Sequence, residues 1–333
     1  MLTAGIIGLG VGERFIQPLE EHPKVHLKTL CDFNENKLND FKASHPQKIF
    51  TADSNIVLSD TDINFIAIAS YDNFHTEQIV SALNNKKHVF VEKPICLYQS
   101  ELDEIFLSLE RNPECKISSN FVLRTNPLFK RLKQDIQSGD LGQIFYIEAD
   151  YLWGRISKLD GWRAEMGYYS IVHGAAIHMI DLIVWLLDEK PYEVKTYGNN
   201  IATQDNKLNY NSFAVMLLNF KSGLIVKITG NGGCVHPHFH SLKIFGTKKT
   251  ISHDMNGSFF IESTDSKNDL VRIEESYPAK NLRKNVLVSF VESIVNKTNA
   301  IVKRNDIFDT ISISLSAEKS MINNTTEKIE YKF

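Results

Sequence analysis

The stretch that decides the fold is AGIIGLGVGE, residues 4–13, close to the amino terminus. An apolar run typical of a buried strand leads directly into Gly8, Gly10, Val11 and Gly12. A glycine after the strand permits a tight turn, and a second glycine lets backbone N–H groups approach a pyrophosphate. The usual G-x-G-x-x-G spacing has its third glycine where this chain has Glu13. The stretch therefore predicts a strand–turn–helix that binds a dinucleotide. The residues expected to contact it are Gly8, Gly10, Val11 and Gly12.

Strand-like and helix-like patterns alternate along the first third of the chain. The apolar, β-rich runs are Ala4–Gly8, Val25–Cys31, Ile63–Ala69 and His88–Val91. Between them, Thr76–Asn84 and Ser100–Leu109 repeat apolar residues every three or four positions, as amphipathic helices do. Strands that are apolar throughout are buried on both faces, which is typical of a parallel sheet covered by helices. The pattern predicts a doubly wound α/β nucleotide-binding fold.

Asp32 is the acidic residue that ends the second strand-like run, 22 positions beyond Gly10. This is close to the spacing of about 20 at which a carboxylate accepts hydrogen bonds from a dinucleotide's ribose. The alternative is that Asp32 caps a helix that begins near Asn34. A carboxylate at this position repels a 2′-phosphate, and Phe33 follows where an NADP enzyme often has a basic or hydroxyl side chain. NAD is therefore favoured over NADP as the cofactor.

Composition indicates an ordinary globular protein with a small-molecule partner. Of 333 residues, 43% are hydrophobic and 23% are charged, and the length suggests about two domains. The formal net charge of −3 gives no positive field for a nucleic acid or an anionic membrane. The four cysteines form no C-x-x-C pair, the apolar runs are shorter than a membrane span, and the amino terminus lacks the positive region of a signal peptide. We expect a cytoplasmic protein without nucleic-acid or membrane partners.

Four stretches together resemble a known family. NFHTEQIVSALNNKKHVFVEKPI (residues 73–95) places a histidine-containing helix before a short strand that ends in Glu-Lys-Pro. NFVLRTNPLFKRLKQDIQSGDLGQIFYIEADY (120–151) is similar to a link into a second domain, and GWRAEMGYYSIVHGAAIHMIDLIVWLL (161–187) to a helix with an H-x-x-D motif. LKIFGTKKTI (242–251) completes the set. In this order the stretches resemble the Gfo/Idh/MocA family, named after glucose-fructose oxidoreductase and inositol dehydrogenase.

The resemblance implies two domains over nearly the whole chain. Residues 1–120 are expected to form an NAD-binding Rossmann domain with a doubly wound parallel sheet. Residues 121–333 are expected to form an α/β domain with an open, mainly antiparallel sheet for substrate binding and for assembly into a homodimer or homotetramer. Independently, Phe213–Phe220 and Leu224–Thr229 predict strands, and Asn281–Asn296 and Asn305–Ile322 predict closing helices. Whether these helices pack back on the first domain stays open.

The resemblance also implies roles for single residues. Lys93, at the end of a strand, is expected to act as the acid–base group in hydride transfer to or from a sugar-like CH–OH. His178, which helix spacing places on one face with Asp181 and Trp185, is expected to act as a second acid–base group or as an orienting donor. Asp181 is expected to support His178. Further cofactor contacts are expected from Ser70, His75 and Glu92, in addition to the glycine turn, Asp32 and Lys93. Substrate contacts are expected from Asn120, Arg124, Arg163, His173 and Asp181, although Arg163 is equally well explained by a surface salt bridge.

One departure from the family pattern concerns the position four residues before His178. Inositol dehydrogenase-like members have an aspartate there, and this chain has Gly174. The departure argues against inositol itself and favours a nucleotide-linked or amino sugar. Two alternatives remain, a non-catalytic dinucleotide-binding sensor and a reductase of a non-sugar ring. His236, His238 and His240 alternate as residues on one face of a strand would, and we expect them to line a pocket or an interface, with no metal site.

Overall fold

The computed structural model describes residues 1–265 and 270–332. It contains two compact units, each described here by itself. The first unit comprises Met1–Val122 and Asn281–Ile307, and the second comprises Leu123–Lys280 and Phe308–Phe333. In the described part of the chain, no helix is both long enough and apolar enough to cross a membrane.

Strands and helices alternate in the first third of the chain, and strands dominate the middle. The strands are β1 (Leu2–Ile7), β2 (Val25–Cys31), β3 (Ile49–Thr51), β4 (Phe65–Ile68), β5 (His88–Val91), β6 (Ile117–Ser119), β7 (Ile144–Leu152), β8 (Glu193–Asn199), β9 (Phe213–Asn219), β10 (Ile225–Asn231), β11 (Phe239–Gly246), β12 (Thr250–Asp254), β13 (Gly257–Ile261), β14 (Val271–Arg272) and β15 (Glu327–Lys328). The helices are α1 (Glu13–Glu20), α2 (Glu35–Ser44), α3 (Ser54–Ser59), α4 (His75–Asn84), α5 (Gln99–Arg111), α6 (Pro127–Gln137), α7 (Trp162–Glu165), α8 (Ile177–Leu187), α9 (Asn285–Val295) and α10 (Arg304–Asn323).

The first unit is built on a six-stranded sheet in the order β3-β2-β1-β4-β5-β6. Every pair of neighbouring strands in it is parallel. All four residues of β4 are buried, as expected for a strand that is covered on both faces. The sheet confirms the predicted doubly wound fold, and its strand order is that of a dinucleotide-binding domain. The carboxyl ends of β1, β2, β4 and β5 meet at one edge, where such sheets bind their ligands.

The first unit also contains a segment from far along the chain. Helix α9 belongs to it, and Phe290 of α9 packs its ring against Phe65 and Phe90 at centroid distances of 5.9 and 6.0 Å. His22 Nε2 lies 2.9 Å from Glu292 Oε1, so a polar contact joins α9 to the loop before β2. The aromatic core beneath β4 and β5 is therefore completed by residues close to the carboxyl terminus.

The second unit is built on a nine-stranded sheet in the order β14-β13-β12-β11-β7-β10-β9-β8-β15. Its described neighbours are antiparallel apart from the parallel pair of β7 and β10, which confirms the predicted open, mainly antiparallel sheet. Strand β9 alternates buried and accessible residues, so one face of the sheet is covered and the other is open. The open face carries Tyr197, Leu217 and Ile225, which are between 43% and 55% exposed.

Helix α8 lies on the covered face and is almost wholly apolar, with Ile177 through Ile183 all buried. A π-helical turn, Val172–Ala176, leads into it. Strand β10 packs against this turn at Gly230, where a Cβ atom would lie 3.1 Å from the Cβ of Ala176 and from the carbonyl oxygen of Ile171. Glycine at 230 thus allows the π-helical turn to lie close to the centre of the sheet.

Candidate active site

The glycine-rich turn between β1 and α1 has two glycines that sterics require. Gly8 has φ of +86°, and a Cβ atom on it would lie 2.4 Å from the carbonyl oxygen of Ala69. A Cβ atom on Gly12 would lie 2.1 Å from the carbonyl oxygen of Gly8. Gly12 therefore provides the close packing for which the motif's third glycine is needed. Glu13 is exposed at the first position of α1, so the early glycine and the glutamate leave the turn intact.

Asp32 is tied to the same turn. Its Oδ2 atom accepts a hydrogen bond of 2.7 Å from the backbone N–H of Leu9, and its Oδ1 atom accepts one of 2.9 Å from the N–H of Asn34. The residue that caps α2 is Asn34, whose side chain accepts from the N–H of Lys37. The helix-capping interpretation of Asp32 is therefore wrong, because the cap lies two residues further on. Asp32 holds the end of β2 against the glycine turn.

The residues present fit a bound NAD. Gly10 faces open space, since the nearest atom to a Cβ placed on it is Lys37 Nζ at 3.7 Å, so a pyrophosphate can approach the backbone. The amino-terminal end of α1 follows the turn and favours negative charge. Each carboxylate oxygen of Asp32 has a further lone pair with which to accept from a ribose hydroxyl. NAD, when bound, supplies the acceptor or donor of a hydride.

Three side chains near this turn were not assigned to the cofactor site from the sequence. Lys37 has no ion pair with any described residue, and its ammonium lies beside Gly10. Phe33 is 65% exposed, and its ring contacts the ring of Tyr71 at 5.5 Å in an edge arrangement. The signal for all three was their position: Phe33 directly follows Asp32, Lys37 lies in the first turn of α2, and Tyr71 lies three residues after β4. An adenosine end of the cofactor would meet an aromatic pair and one cation here.

Lys93 follows β5 and lies in a polar network of the first unit. The neighbouring Glu92 accepts a hydrogen bond of 2.6 Å from Asn120 Nδ2. Burial raises the pKa of Glu92, while the hydrogen bond from Asn120 and the nearby Lys93 and His75 act to lower it. Asn120 therefore fixes the carboxylate beside Lys93. The half-buried position of Lys93 at a strand end is the one in which the sequence predicts an acid–base group.

His75 connects two of the predicted cofactor segments. It is fully buried, and its ring nitrogens Nδ1 and Nε2 lie 2.6 Å from the carbonyl oxygen of Pro94 and 3.2 Å from that of Ser70. The Ser70 hydroxyl donates to Gln78 Oε1 at 2.7 Å. The histidine thus holds the turn after β4 to the segment that carries Lys93.

In the second unit, the π-helical turn and α8 carry the other predicted residues. His178 is 9% exposed in the first turn of α8, and its ring lies parallel to that of Tyr151 at a centroid distance of 5.6 Å. His173 is buried, and its Nδ1 atom lies 2.7 Å from Ser314 Oγ of α10. Ser170, just before the turn, is hydrogen-bonded to the buried carboxyl of Glu318, whose pKa is raised chiefly by burial. Insertions of π-helix are frequent at functional sites.

The rings of two histidines, His238 and His240, contact the ring of Tyr151. The ring centroids of His238 and His240 lie 5.2 and 4.9 Å from that of Tyr151, and they lie 5.0 Å from one another. The rings of His238 and His240 are therefore in contact, as the sequence predicts for alternate residues on one strand face. His236 precedes β11 and has its Nδ1 atom 2.7 Å from the carbonyl oxygen of Pro237. Sequence reasoning missed Tyr151, whose only signal was its place on β7.

Arg124 and Asp181 form a buried ion pair. Arg124 Nη2 lies 2.7 Å from Asp181 Oδ1, and Nε donates to both carboxylate oxygens at 3.1 Å. Both side chains are about 2% exposed or less. The carboxylate that was expected to support His178 is thus engaged by Arg124, and the guanidinium that was expected to hold substrate is engaged by Asp181. The pair joins the segment before α6 to α8.

Arg163 lies between two tryptophans. Its guanidinium carbon is 4.2 Å from the ring centroid of Trp162 and 5.1 Å from that of Trp153. Within the described residues it makes no ion pair, so the surface salt bridge offered as its alternative role is not formed there. In the same part of the chain, no group of three or more His, Cys, Asp or Glu side chains is arranged to hold a metal ion.

A parallel sheet with this strand order, a tight glycine turn and an acidic residue after β2 define a dinucleotide-binding protein. The family model described as "Oxidoreductase family, NAD-binding Rossmann fold" matches residues 2–121, and "GFO/IDH/MocA C-terminal domain" matches residues 129–252. The chain belongs to the GFO/IDH/MocA family of NAD-binding oxidoreductases. Its cofactor is NAD, as predicted.

Relatives and solved structures with inositol-dehydrogenase names are similar along the whole chain. The myo-inositol 2-dehydrogenase of Thermotoga maritima is 23% identical over 344 residues, covering 99% of each chain. The structure of myo-inositol 2-dehydrogenase from Lactobacillus plantarum matches with a TM-score of 0.82, 24% identity and 99% coverage of both chains. The scyllo-inositol dehydrogenase from Lactobacillus casei, with bound NAD(H) and scyllo-inositol, matches with a TM-score of 0.80, 21% identity and 99% coverage of both. At sequence identities below 25%, these structural matches show the fold alone.

Proposed function

We propose that this oxidoreductase transfers a hydride between NAD and a secondary alcohol or ketone of a cyclic polyol, a sugar or a sugar derivative. The full-length similarity to a myo-inositol 2-dehydrogenase supports a hydroxylated ring as the substrate class. The observation that supports the proposal is that Lys93 follows β5 at the ligand-binding edge of the parallel sheet, next to Glu92, whose carboxylate accepts a hydrogen bond from Asn120.

The chemistry separates into a hydride and a proton. Oxidation removes the hydride from the carbinol carbon to the bound cofactor, and the hydroxyl proton passes to a base. Lys93 Nζ is the proposed base, and in the reverse direction it returns the proton to the forming alkoxide. His178 is proposed to hydrogen-bond the same oxygen or a neighbouring hydroxyl, which orients the carbinol for transfer. Lys93 and Asn120 are side chains of the first unit, and His178 and His173 of the second.

The site residues of the second unit favour a substrate with several hydroxyl groups. His178 and the half-buried His238 offer imidazole groups, which both donate and accept hydrogen bonds. Gly174 takes the place of the aspartate of inositol dehydrogenase-like members, so nucleotide-linked and amino sugars belong on the substrate panel beside the inositols. Arg163, held between tryptophans, is proposed to bind an anionic group of such a substrate.

We also propose that copies of the chain associate through the open face of the nine-stranded sheet. Tyr197, Leu217 and Ile225 lie on this face, and their exposure supports a homodimer or homotetramer.

The test is titration calorimetry with NAD, NADH, NADP and NADPH, followed by a screen at 340 nm against inositols, free sugars, amino sugars and nucleotide-linked sugars. NAD is expected to bind, and Asp32→Ala is expected to weaken it about tenfold, since charge-assisted hydrogen bonds to the ribose are lost. With the substrate found, Lys93→Met should lower kcat by at least about a hundredfold, because the proposed base is lost. Lys130→Met, an exposed lysine on α6, is the matched control. Full turnover by Lys93→Met would refute the assignment of the base.

A further inference from the structure

The ring of His178 stacks on the ring of Tyr151. The two rings are inclined by only 12°, with centroids 5.6 Å apart, which is an offset parallel stack. Tyr151 is the second-last residue of β7 and is 8% exposed. Its strand neighbours are Gly230 on β10 and His240 on β11. The close approach of the π-helical turn at Gly230 brings the start of α8 onto this part of the sheet.

Tyr151 is itself held in position from its other sides. Its hydroxyl lies 3.1 Å from His238 Nε2, within hydrogen-bond distance. The ring of His240 meets it in an edge arrangement at 4.9 Å, and His240 Nδ1 lies 2.5 Å from the hydroxyl of Tyr277. The backbone N–H of His240 donates to the same Tyr277 hydroxyl at 3.0 Å. A side chain with so many fixed neighbours has little rotamer freedom, so it presents a rigid surface to the imidazole.

The position one turn before His178 contains no side chain that could orient it. A Cβ atom on Gly174 would lie 2.3 Å from Tyr169 Oη and 2.9 Å from Tyr169 Cζ. Tyr169 is buried, with 2% exposure, so its phenol occupies the space into which a longer residue at 174 would extend. Asp181, one turn after His178, is engaged by Arg124. Gly174 thus offers His178 no carboxylate, and the carboxylate of Asp181 forms an ion pair with Arg124.

We propose that Tyr151 is the positioning residue of His178, and that His238 holds Tyr151 in place through a hydrogen bond with the Tyr151 hydroxyl group. The stack fixes the plane of the imidazole and leaves its edge for the substrate, so an aromatic ring performs the orienting task that a carboxylate performs at many catalytic histidines. This inference rests on the proposed function for the role of His178, whereas the stack itself is a property of the free protein.

The experiment combines histidine NMR with kinetics on the full chain. In protein labelled with ¹³C-histidine, the His178 ring signal is assigned by its disappearance in His178→Gln. Tyr151→Leu is expected to shift this signal, because the ring current of the adjacent phenol ring is lost. Tyr151→Phe retains the stack and should leave the signal near its original position. Tyr146→Leu is the matched control, since Tyr146 lies on the same strand and stacks on Phe245 instead.

The kinetic arm uses the substrate found in the screen. Tyr151→Leu should lower kcat about a hundredfold with an unchanged Kd for NAD, since a misplaced imidazole no longer orients the carbinol for transfer. Tyr151→Phe should lose only about threefold, because one hydrogen bond to His238 is removed. Tyr146→Leu should have the kcat of the wild type.

Each failure has its own signature. An unmoved His178 signal in Tyr151→Leu would overturn the stack, and a moved signal with unchanged kcat would overturn the positioning role. If His178→Gln keeps full turnover, the proposed function of His178 fails, while the NMR arm still decides whether Tyr151 orients the ring.

Discussion

Gly10 and Gly12 belong to one turn but have different surroundings, which makes them a matched pair for a test. An alanine at 12 would push its Cβ to 2.1 Å from the carbonyl oxygen of Gly8. An alanine at 10 would meet no atom closer than Lys37 Nζ at 3.7 Å. Glycine at 12 therefore serves the fold, and glycine at 10 is available to serve the ligand.

We expect Gly12→Ala to lower the thermal midpoint of unfolding by several degrees, corresponding to about 1–3 kcal/mol of strain. Gly10→Ala should leave the midpoint near that of the wild type and weaken NAD binding, because a methyl group stands where the pyrophosphate approaches. Differential scanning fluorimetry and calorimetric titration measure the two effects. Equal loss of NAD affinity and of stability in both variants would contradict this division of roles.

Among the elements, the contact between the segment before α6 and helix α8 depends on the pair of Arg124 and Asp181. Removal of one partner leaves a buried charge alone, which typically costs about 3–5 kcal/mol. Arg124→Met should accordingly lower the thermal midpoint strongly, and the double variant Arg124→Met/Asp181→Leu should recover much of the loss. A double-mutant cycle by urea unfolding gives the coupling energy.

The same variants decide between two roles for Arg124. If the Arg124 guanidinium binds substrate and does not stabilise the fold, Arg124→Met will raise KM without lowering the thermal midpoint of unfolding. Arg163→Met provides the comparison, since that arginine is half-buried between tryptophans and has no such carboxylate partner among the described residues.

The whole molecule should lose stability in mild acid through a histidine outside the predicted site. His253 on β12 is 2% exposed and packs against Phe239 and Tyr277 at centroid distances of 4.8 and 4.6 Å. Burial lowers its pKa to about 4, while Asp254 acts in the opposite direction. An unfolded histidine titrates near 6.5, so between pH 6.5 and about 4 the unfolded chain binds the additional proton.

Stability from His253 is therefore fully present above pH 6.5 and is lost as the pH falls towards 4, by at most about 3 kcal/mol. His253→Phe removes the titrating group, so its thermal midpoint should fall less between about pH 7 and pH 5 than that of the wild type. The comparison uses the slopes with pH, because the lost hydrogen bond with Ser258 lowers the variant equally at every pH. Parallel slopes would show that His253 does not drive the acid sensitivity.

Much of the first unit was predictable because its signals are local. The bounds predicted for the second and fourth apolar runs, Val25–Cys31 and His88–Val91, coincide with β2 and β5. A continuous apolar run indicates a strand that is buried on both faces. A glycine indicates a position where the backbone lies too close to its neighbours for a side chain. The domain boundary near residue 120, the site residues and the oligomeric state stay predictions. The four stretches resembling the family were sufficient to predict the family itself, and its models match the chain.

The sequence by itself thus determined the parallel sheet, the glycine turn with Asp32 and the family, since each follows from residues adjacent along the chain or repeated at a fixed period. Only the tertiary structure decided the partners of the buried polar groups. Arg124 and Asp181 are 57 positions apart, Tyr151 stacks on His178 from another element, and Phe290 of α9 completes a core that begins at Phe65. These contacts depend on strand order and helix placement, which bring together residues that are far apart in the chain. Such contacts produce no repeating pattern in the sequence, so sequence periodicity could not predict them.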